Sequence, residues 1–186
     1  MSESVIDQSK ALFIRRWGEM AASWGISRTM AEIHALLFVS AKPLCTDDIM
    51  EQLQISRGNA SMNLRELTRW GLVERMHVRG DRKEYFKAEA DVWQMFKTLS
   101  RERRRREVEP ILETIQRCHE MIDADWKQLR GHKREDAMEY RRRLEAMLEF
   151  LDVVNSVLNI VLATGADGFQ EVAKLLAQLP GPTAKA

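Results

Sequence analysis

Apolar residues recur at helical spacing over most of this chain, and one short stretch departs from it. Ile6, Phe13, Trp17, Met20 and Trp24 form a stripe that predicts an amphipathic helix over about residues 5–24. Ser4 and Asp7 precede it in the manner of a capping box. Gly25-Ile26 interrupts the pattern, and Ser27 caps a second helix whose Ile33, Leu36 and Leu37 point inward until Lys42-Pro43. Thr46 is expected to cap a short third helix, with Asp47 and Asp48 in the first turn, where the positive helix end favours carboxylates. Ser56 caps a fourth, in which Ala60, Leu64 and Leu67 share one face and Gly71 ends the run. The period then shortens. Residues 72–78 and 83–88 flank Arg79-Gly80-Asp81-Arg82 and predict a β-hairpin with a basic tip.

Beyond the hairpin the helical period returns. Asp91 caps a helix carrying Val92, Trp93, Phe96 and Leu99. Pro110 marks a kink or a fresh start. After it Ile111, Ile115, Cys118, Ile122, Trp126 and Leu129 form another stripe, which ends in a turn over residues 131–134. Tyr140, Leu144, Met147, Leu151, Val154, Leu158 and Val161 then step alternately by four and three, the spacing of a coiled-coil seam. Phe150, Val153, Val157 and Ile160 run beside it as a second stripe, and Asn155 and Asn159 are placed to set register. Two stripes predict burial from two sides, as in a bundle made by two subunits. Phe169, Val172, Leu175, Leu176 and Leu179 suggest a closing helix that stops at Pro180.

The fold class expected is mainly α with a small β-hairpin wing: a winged helix-turn-helix joined to a helical dimerisation region. Residues 1–26 would be an N-terminal helix used in dimerisation, and 27–90 the DNA-binding domain. Residues 91–180 would dimerise and house any effector, and 181–186 would be a loose tail. The dimer contacts expected are Leu144, Met147, Leu151, Val154, Leu158 and Val161.

The fourth helix carries the chemistry. Its outward side holds Ser56, Arg57, Asn59, Ser61, Met62, Asn63, Arg65 and Arg69, arginines mixed with short hydrogen-bonding side chains. Arg can donate twice to a guanine edge and Asn can pair with adenine, so such a helix suits a major groove. Arg79, Arg82 and Lys83 crowd the hairpin tip, and a narrow minor groove attracts such side chains. Asp81 is expected to orient a neighbouring arginine. The formal charge of +1 conceals this concentration, because residues 55–87 hold eight Lys/Arg against four acids. Double-stranded DNA is the partner implied. The Arg101–Arg106 run either lies against flanking phosphates or pairs with Glu107 and Glu109.

The run SRGNASMNLREL, followed by WGLVER and GDRKEYF, resembles the GbsR-type branch of the MarR family of bacterial transcription regulators. Asp81-Arg82 is similar to the acidic-arginine signature of MarR wings. The specific likeness covers about residues 27–89. It implies a homodimeric repressor or activator acting on a palindromic operator, with a small-molecule or osmotic input linked to choline and glycine-betaine metabolism.

An effector would fit where the N-terminal and post-wing helices meet the bundle. Trp17, Trp24 and Trp93 could form an aromatic wall there, and aromatic faces suit a quaternary ammonium such as choline; the alternative is that they are core. No nucleophile–base pair, glycine phosphate loop or metal-ligand spacing is present, so no catalytic residue, metal or cofactor is expected. The four histidines, His34, His77, His119 and His132, lack such spacing. Cys45 and Cys118 are too few for a disulfide framework and point to a reducing cytoplasm. No signal peptide or apolar run of membrane-spanning length is read, so no membrane partner is expected. The rival reading is a helical adaptor using its winged helix for protein contacts, and the basic helix and wing weigh against it.

Overall fold

The computed structural model describes residues 4–177, and the chain divides into two compact units between Ser100 and Arg101. The division falls elsewhere than the segment limits read from the sequence, because the N-terminal helix packs within the first unit.

In the first unit, α1 (Val5–Ser23) starts at Ser4, whose Oγ accepts from the Asp7 N–H at 3.2 Å and donates to the Asp7 carboxylate at 2.6 Å. Helix α2 (Arg28–Val39) starts at Ser27, whose Oγ accepts from the Met30 N–H. It buries Met30, Ala31, Ile33, His34, Ala35, Leu36 and Leu37, so it is enclosed by neighbours on most of its circumference. Helix α1 lies against α2. Gly18 sits in that contact, where a Cβ would fall 2.6 Å from Glu32 Cγ.

A two-residue strand, β1 (Leu44–Cys45), precedes α3 (Thr46–Leu53) and was not anticipated. It moves the α3 cap back one residue, from Thr46 to Cys45. The Cys45 N–H donates to the Asp48 carboxylate at 2.8 Å, so Asp48 closes the helix start locally. Helix α4 (Arg57–Trp70) follows, then β2 (Val73–His77) and β3 (Glu84–Ala88), in an antiparallel sheet ordered β1-β3-β2. Leu44 pairs with Phe86, and Arg75 pairs with Phe86 from the other side, which fixes β3 as the central strand.

Ile33, Ile49, Leu64 and Leu67 are fully buried at the centre, one or two from each of α2, α3 and α4. Each such side chain contributes roughly 1.5–3 kcal/mol by leaving water. Trp70, Leu72, Val73, Phe86 and Met95 complete the core. The three-helix arrangement and the hairpin therefore share one apolar interior, which is what holds α4 and the wing in a fixed relation. Helix α5 (Val92–Arg103) is capped by Asp91, which accepts from the Trp93 and Gln94 N–H groups.

In the second unit, one π-helical turn (Arg104–Val108) leads into α6 (Glu109–Asp125), with Pro110 in the first turn, where its missing N–H costs nothing. The basic run is engaged with acids: Arg103 with Glu107 at 3.3 Å, Arg104 with Glu109 at 3.8 Å, and Arg105 with Glu102. Helix α7 (His132–Ala177) is broken at Gly165, whose φ of 67° is left-handed. The anticipated closing helix corresponds to the part after this break. Its Leu179 and Pro180, and the tail over residues 181–186, lie outside the described residues.

Helices α6 and α7 pack on each other, with Arg141 donating to Asp123 at 2.7 Å and Arg104 to Asn159 Oδ1 at 3.3 Å. The two stripes of α7 separate accordingly. Leu144, Leu151 and Leu158 are half-buried and Val161 is buried, whereas Met147 and Val154 are exposed together with Phe150, Val153, Val157 and Ile160. One expectation is corrected here. His132–Gly165 is long and apolar enough, by length and composition alone, to cross a membrane. Only Glu149 and Asp152 carry charge over residues 148–165, so the two stripes together reach the length that neither reaches alone.

Candidate nucleic-acid interface

Helix α4 is anchored at both ends and on one face. Ser56 Oγ accepts from the Asn59 N–H at 3.3 Å, and Gly71, with φ of 76°, closes the other end through bonds to the Leu67 and Thr68 carbonyls. Ala60, Leu64, Leu67 and Trp70 are buried. The Trp70 Nε1–H donates to Glu66 at 3.0 Å, and Glu66 also holds Arg69.

The outward face carries exposed Ser56, Arg57, Met62, Arg65 and Arg69, with Asn59 and Ser61 half-buried. Asn63 departs from expectation. It is only 4% exposed, and its Nδ2 donates to the Asn59 carbonyl at 2.8 Å and the Asn59 Oδ1 at 2.6 Å. Position 63 lies between the buried 67 and 70 on the helical repeat, so its amide is spent inside the protein. It braces Asn59 instead of meeting a partner.

The wing tip is built by Asp81. The Asp81 N–H donates to the Val78 carbonyl at 3.0 Å, and Gly80 takes the left-handed conformation at φ 89°. The Asp81 carboxylate accepts from the Lys83 N–H at 2.9 Å and the Tyr85 hydroxyl at 2.7 Å, and those bonds hold its carboxyl below the usual range. Asp81 thus shapes the turn and does not orient an arginine side chain as expected. Arg75 pairs with Glu84 across the two strands at 3.0 Å. Arg65, Arg79 and Arg82 have no ion-pair partner among the described residues. A groove of about 580 Å³ between α4 and the sheet is lined by Ser61, Arg65, Arg69 and Arg75 among others.

One acid on this surface escaped sequence reading. Asp47, in the first turn of α3, pairs with Arg57 of α4 and, at 3.3 Å, with Lys83 of β3's approach. Arg57 and then Lys83 hold the Asp47 carboxyl below its ordinary value. Ten residues separate Asp47 from Arg57 and many more separate it from Lys83, so no local spacing announces the cluster. Asp47 and Asp48 both sit in the first turn of α3, where the sequence places them, but the hydrogen bond to the helix start is made by Asp48.

The same unit holds an apolar cavity of about 330 Å³ walled by α1, α2, α4 and α5, with Trp17, Met20, Trp24, His34, Trp70 and Phe96 among its lining. Trp17 and Trp24 are in that lining. Trp93 does not line it, but meets the lining residue Phe96 edge-on at 5.9 Å. His34 is 4% exposed and stands between Trp17 and Phe38, with ring centres 6.3 Å from each. Its Nε2 has no hydrogen-bond partner among the described residues, and burial pushes the imidazole down to about 4.

Residues 24–84, which include α2 to α4 and the hairpin up to the start of β3, match the model of the MarR family. This segment belongs to the MarR family. The MarR-family segment contains every candidate DNA contact. Beyond it, the chain is similar to the transcriptional repressor GbsR of Bacillus subtilis, 26% identical over 133 residues, covering 67% of this chain and 73% of GbsR. It is also 26% identical to YvaV of the same organism over 96 residues, and spans about half of that relative's length, 54%. The crystal structure of a transcriptional regulator matches with a TM-score of 0.61 at 23% identity, over 84% of this chain and 97% of that one, a likeness of fold. The MarR family and these relatives are regulators, not enzymes. Among the described residues no three His, Cys, Asp or Glu side chains converge as metal ligands would.

Proposed function

We propose that this chain is a transcription regulator that binds double-stranded DNA as a homodimer, with α4 in the major groove and the wing over the adjacent minor groove. The observation that carries the reading is the exposed row Arg57, Arg65 and Arg69 on α4, linked to Lys83 of the wing through Asp47, with Arg79 and Arg82 exposed at the wing tip and both elements set on one apolar core. Phosphate contacts by these cations supply salt-dependent affinity, and Arg57, Asn59, Ser61, Met62 and Arg65 choose the sequence. An adaptor has no need of such charge.

The second copy would cover α7. Met147, Phe150, Val153, Val154, Val157 and Ile160 form a contiguous exposed apolar face, which water penalises until a partner covers it. The same stretch has the composition of a membrane span. A dimer accounts better for its two-sided character, since Leu144, Leu151 and Leu158 are already half-buried within the chain. A regulator of this kind acts where the chromosome is, in the cytoplasm.

The cavity beside α1 is the place for an effector. Trp17 and Trp24 offer aromatic faces to a cation such as choline, the kind of input that the resemblance of residues 27–89 implies. A ligand there acts on DNA only if it prefers one dimer geometry over another. Repression is the sign that GbsR's description suggests. The test is binding of the purified chain to its own upstream DNA at several salt concentrations, with and without choline. Tight binding that weakens steeply with salt is expected, and choline is expected to shift it. Equal affinity for random DNA would remove the reading, and indifference to choline would remove that effector.

A further inference from the structure

The DNA-facing surface contains one carboxylate that ties together two elements meant to touch different grooves. Asp47 projects from α3 to the Arg57 guanidinium on α4, and its other oxygen reaches Lys83 Nζ at the wing, 3.3 Å away. All three side chains are about half exposed or more, so the cluster is open to a polyanion. Exposed ion pairs of this kind contribute little to stability and are readily exchanged. Asp48, one residue on, accepts from the Cys45 N–H at the α3 start, whereas the bonds of Asp47 run to α4 and the wing. Among the described residues Arg65, Arg79 and Arg82 carry no such tie. The basic surface therefore has two classes of cation: Arg65, Arg79 and Arg82 are open, while Arg57 and Lys83 are engaged by Asp47 and Arg69 by Glu66 of its own helix.

We infer that Asp47 is a specificity-determining residue, which withholds Arg57 and Lys83 from arbitrary phosphates and releases them only to a DNA site whose groups outcompete its carboxylate. This rests on the DNA-binding reading above. On a random duplex the three open arginines bind phosphates, and Asp47 keeps its two cations while repelling the backbone nearby. On the correct site Arg57 meets a base edge, and two hydrogen bonds to one base replace the carboxylate. Asp47 itself touches no base. It acts through the cations it holds.

The experiment compares the full-length wild type with Asp47→Asn, nearly isosteric and uncharged at that oxygen. The duplexes are a site selected by the wild type from a random pool and a scrambled duplex of equal composition. Both are titrated across salt concentration. Asp47→Asn is expected to bind the scrambled duplex more tightly, with a salt slope steeper by about one to two, one for each additional phosphate neutralised. Its preference for the selected site should fall by roughly tenfold, the scale of one good base pairing by a side chain. Lys83→Gln with Asp47→Asn should show a smaller slope change than Asp47→Asn alone, which a general loss of α3 would not produce. A wild-type preference that Asp47→Asn keeps in full, with both affinities moving in parallel, overturns the inference and leaves the DNA reading intact. Absence of preference in both proteins overturns both.

Discussion

His34 shows how much one side chain can decide. It is a titratable group placed in an apolar stack between Trp17 and Phe38, with burial holding its imidazole at about 4 against an ordinary 6.5. The unfolded chain therefore takes up the proton first as pH falls. Stability is full above about pH 6.5 and declines toward pH 4, where the folded form also protonates, for a total of order 3 kcal/mol. Urea unfolding of wild type and His34→Phe at pH 7.5, 5.5 and 4.5 should show a gap that shrinks or reverses in favour of the variant at acid pH. A gap independent of pH would mean that His34 is not held neutral. At the same scale, Asn63 shows a misreading that the sequence itself could have prevented. Its position belongs to the inward face with Ala60, Leu64 and Leu67, but its polar type suggested the outward one. Period outranks polarity in such a case, because an amide can satisfy itself on the preceding turn.

Among the elements, those with local signals were legible. Helix α4 has a serine cap, an inward stripe and a left-handed glycine stop, and all three appear where the sequence places them. The hairpin was legible from its change of period. Strand β1 was not, since two residues carry no alternation and exist as a strand only by pairing with β3. The π-helical turn at Arg104–Val108 was equally silent. Helix α7 was legible in its stripes but not in their allocation, because a chain read alone does not say which stripe its own α6 half-covers. The exposed stripe makes a prediction at this scale. Val157→Glu places a charge in the middle of the apolar face, opposite the half-buried leucines, and should turn a dimer into a monomer by sedimentation. Helix content should hardly change, since Val157 is 53% exposed in the single chain. A variant that remains dimeric would place the interface elsewhere.

For the whole molecule the proposals combine into geometry on DNA. In the proposed dimer, two-fold symmetry would present two copies of α4 about 34 Å apart, one helical turn, to an inverted repeat. Inserting about five base pairs between the half-sites turns one of them to the opposite side of the duplex and should reduce binding to that of a single half-site. Full affinity after that insertion would mean that the subunits read DNA independently. The MarR likeness and the helix-helix-hairpin unit were accessible from residues 27–89 because they form a self-contained local code. The cluster around Asp47 was not, because it joins three elements that only the tertiary fold brings together.

Gly18 gives the cavity an evolutionary lever. The approach of α1 to α2 is set by a missing side chain, and any replacement meets Glu32, which is itself held by Arg28 at 2.8 Å. Either Glu32 gives up that arginine or α1 moves outward, carrying Trp17 and Met20 with it. A change of one codon at a position outside the cavity wall would thus resize the chamber while every residue facing its contents stayed the same. Descendants of this chain could thereby acquire a larger cavity through a site that no comparison of lining residues would flag.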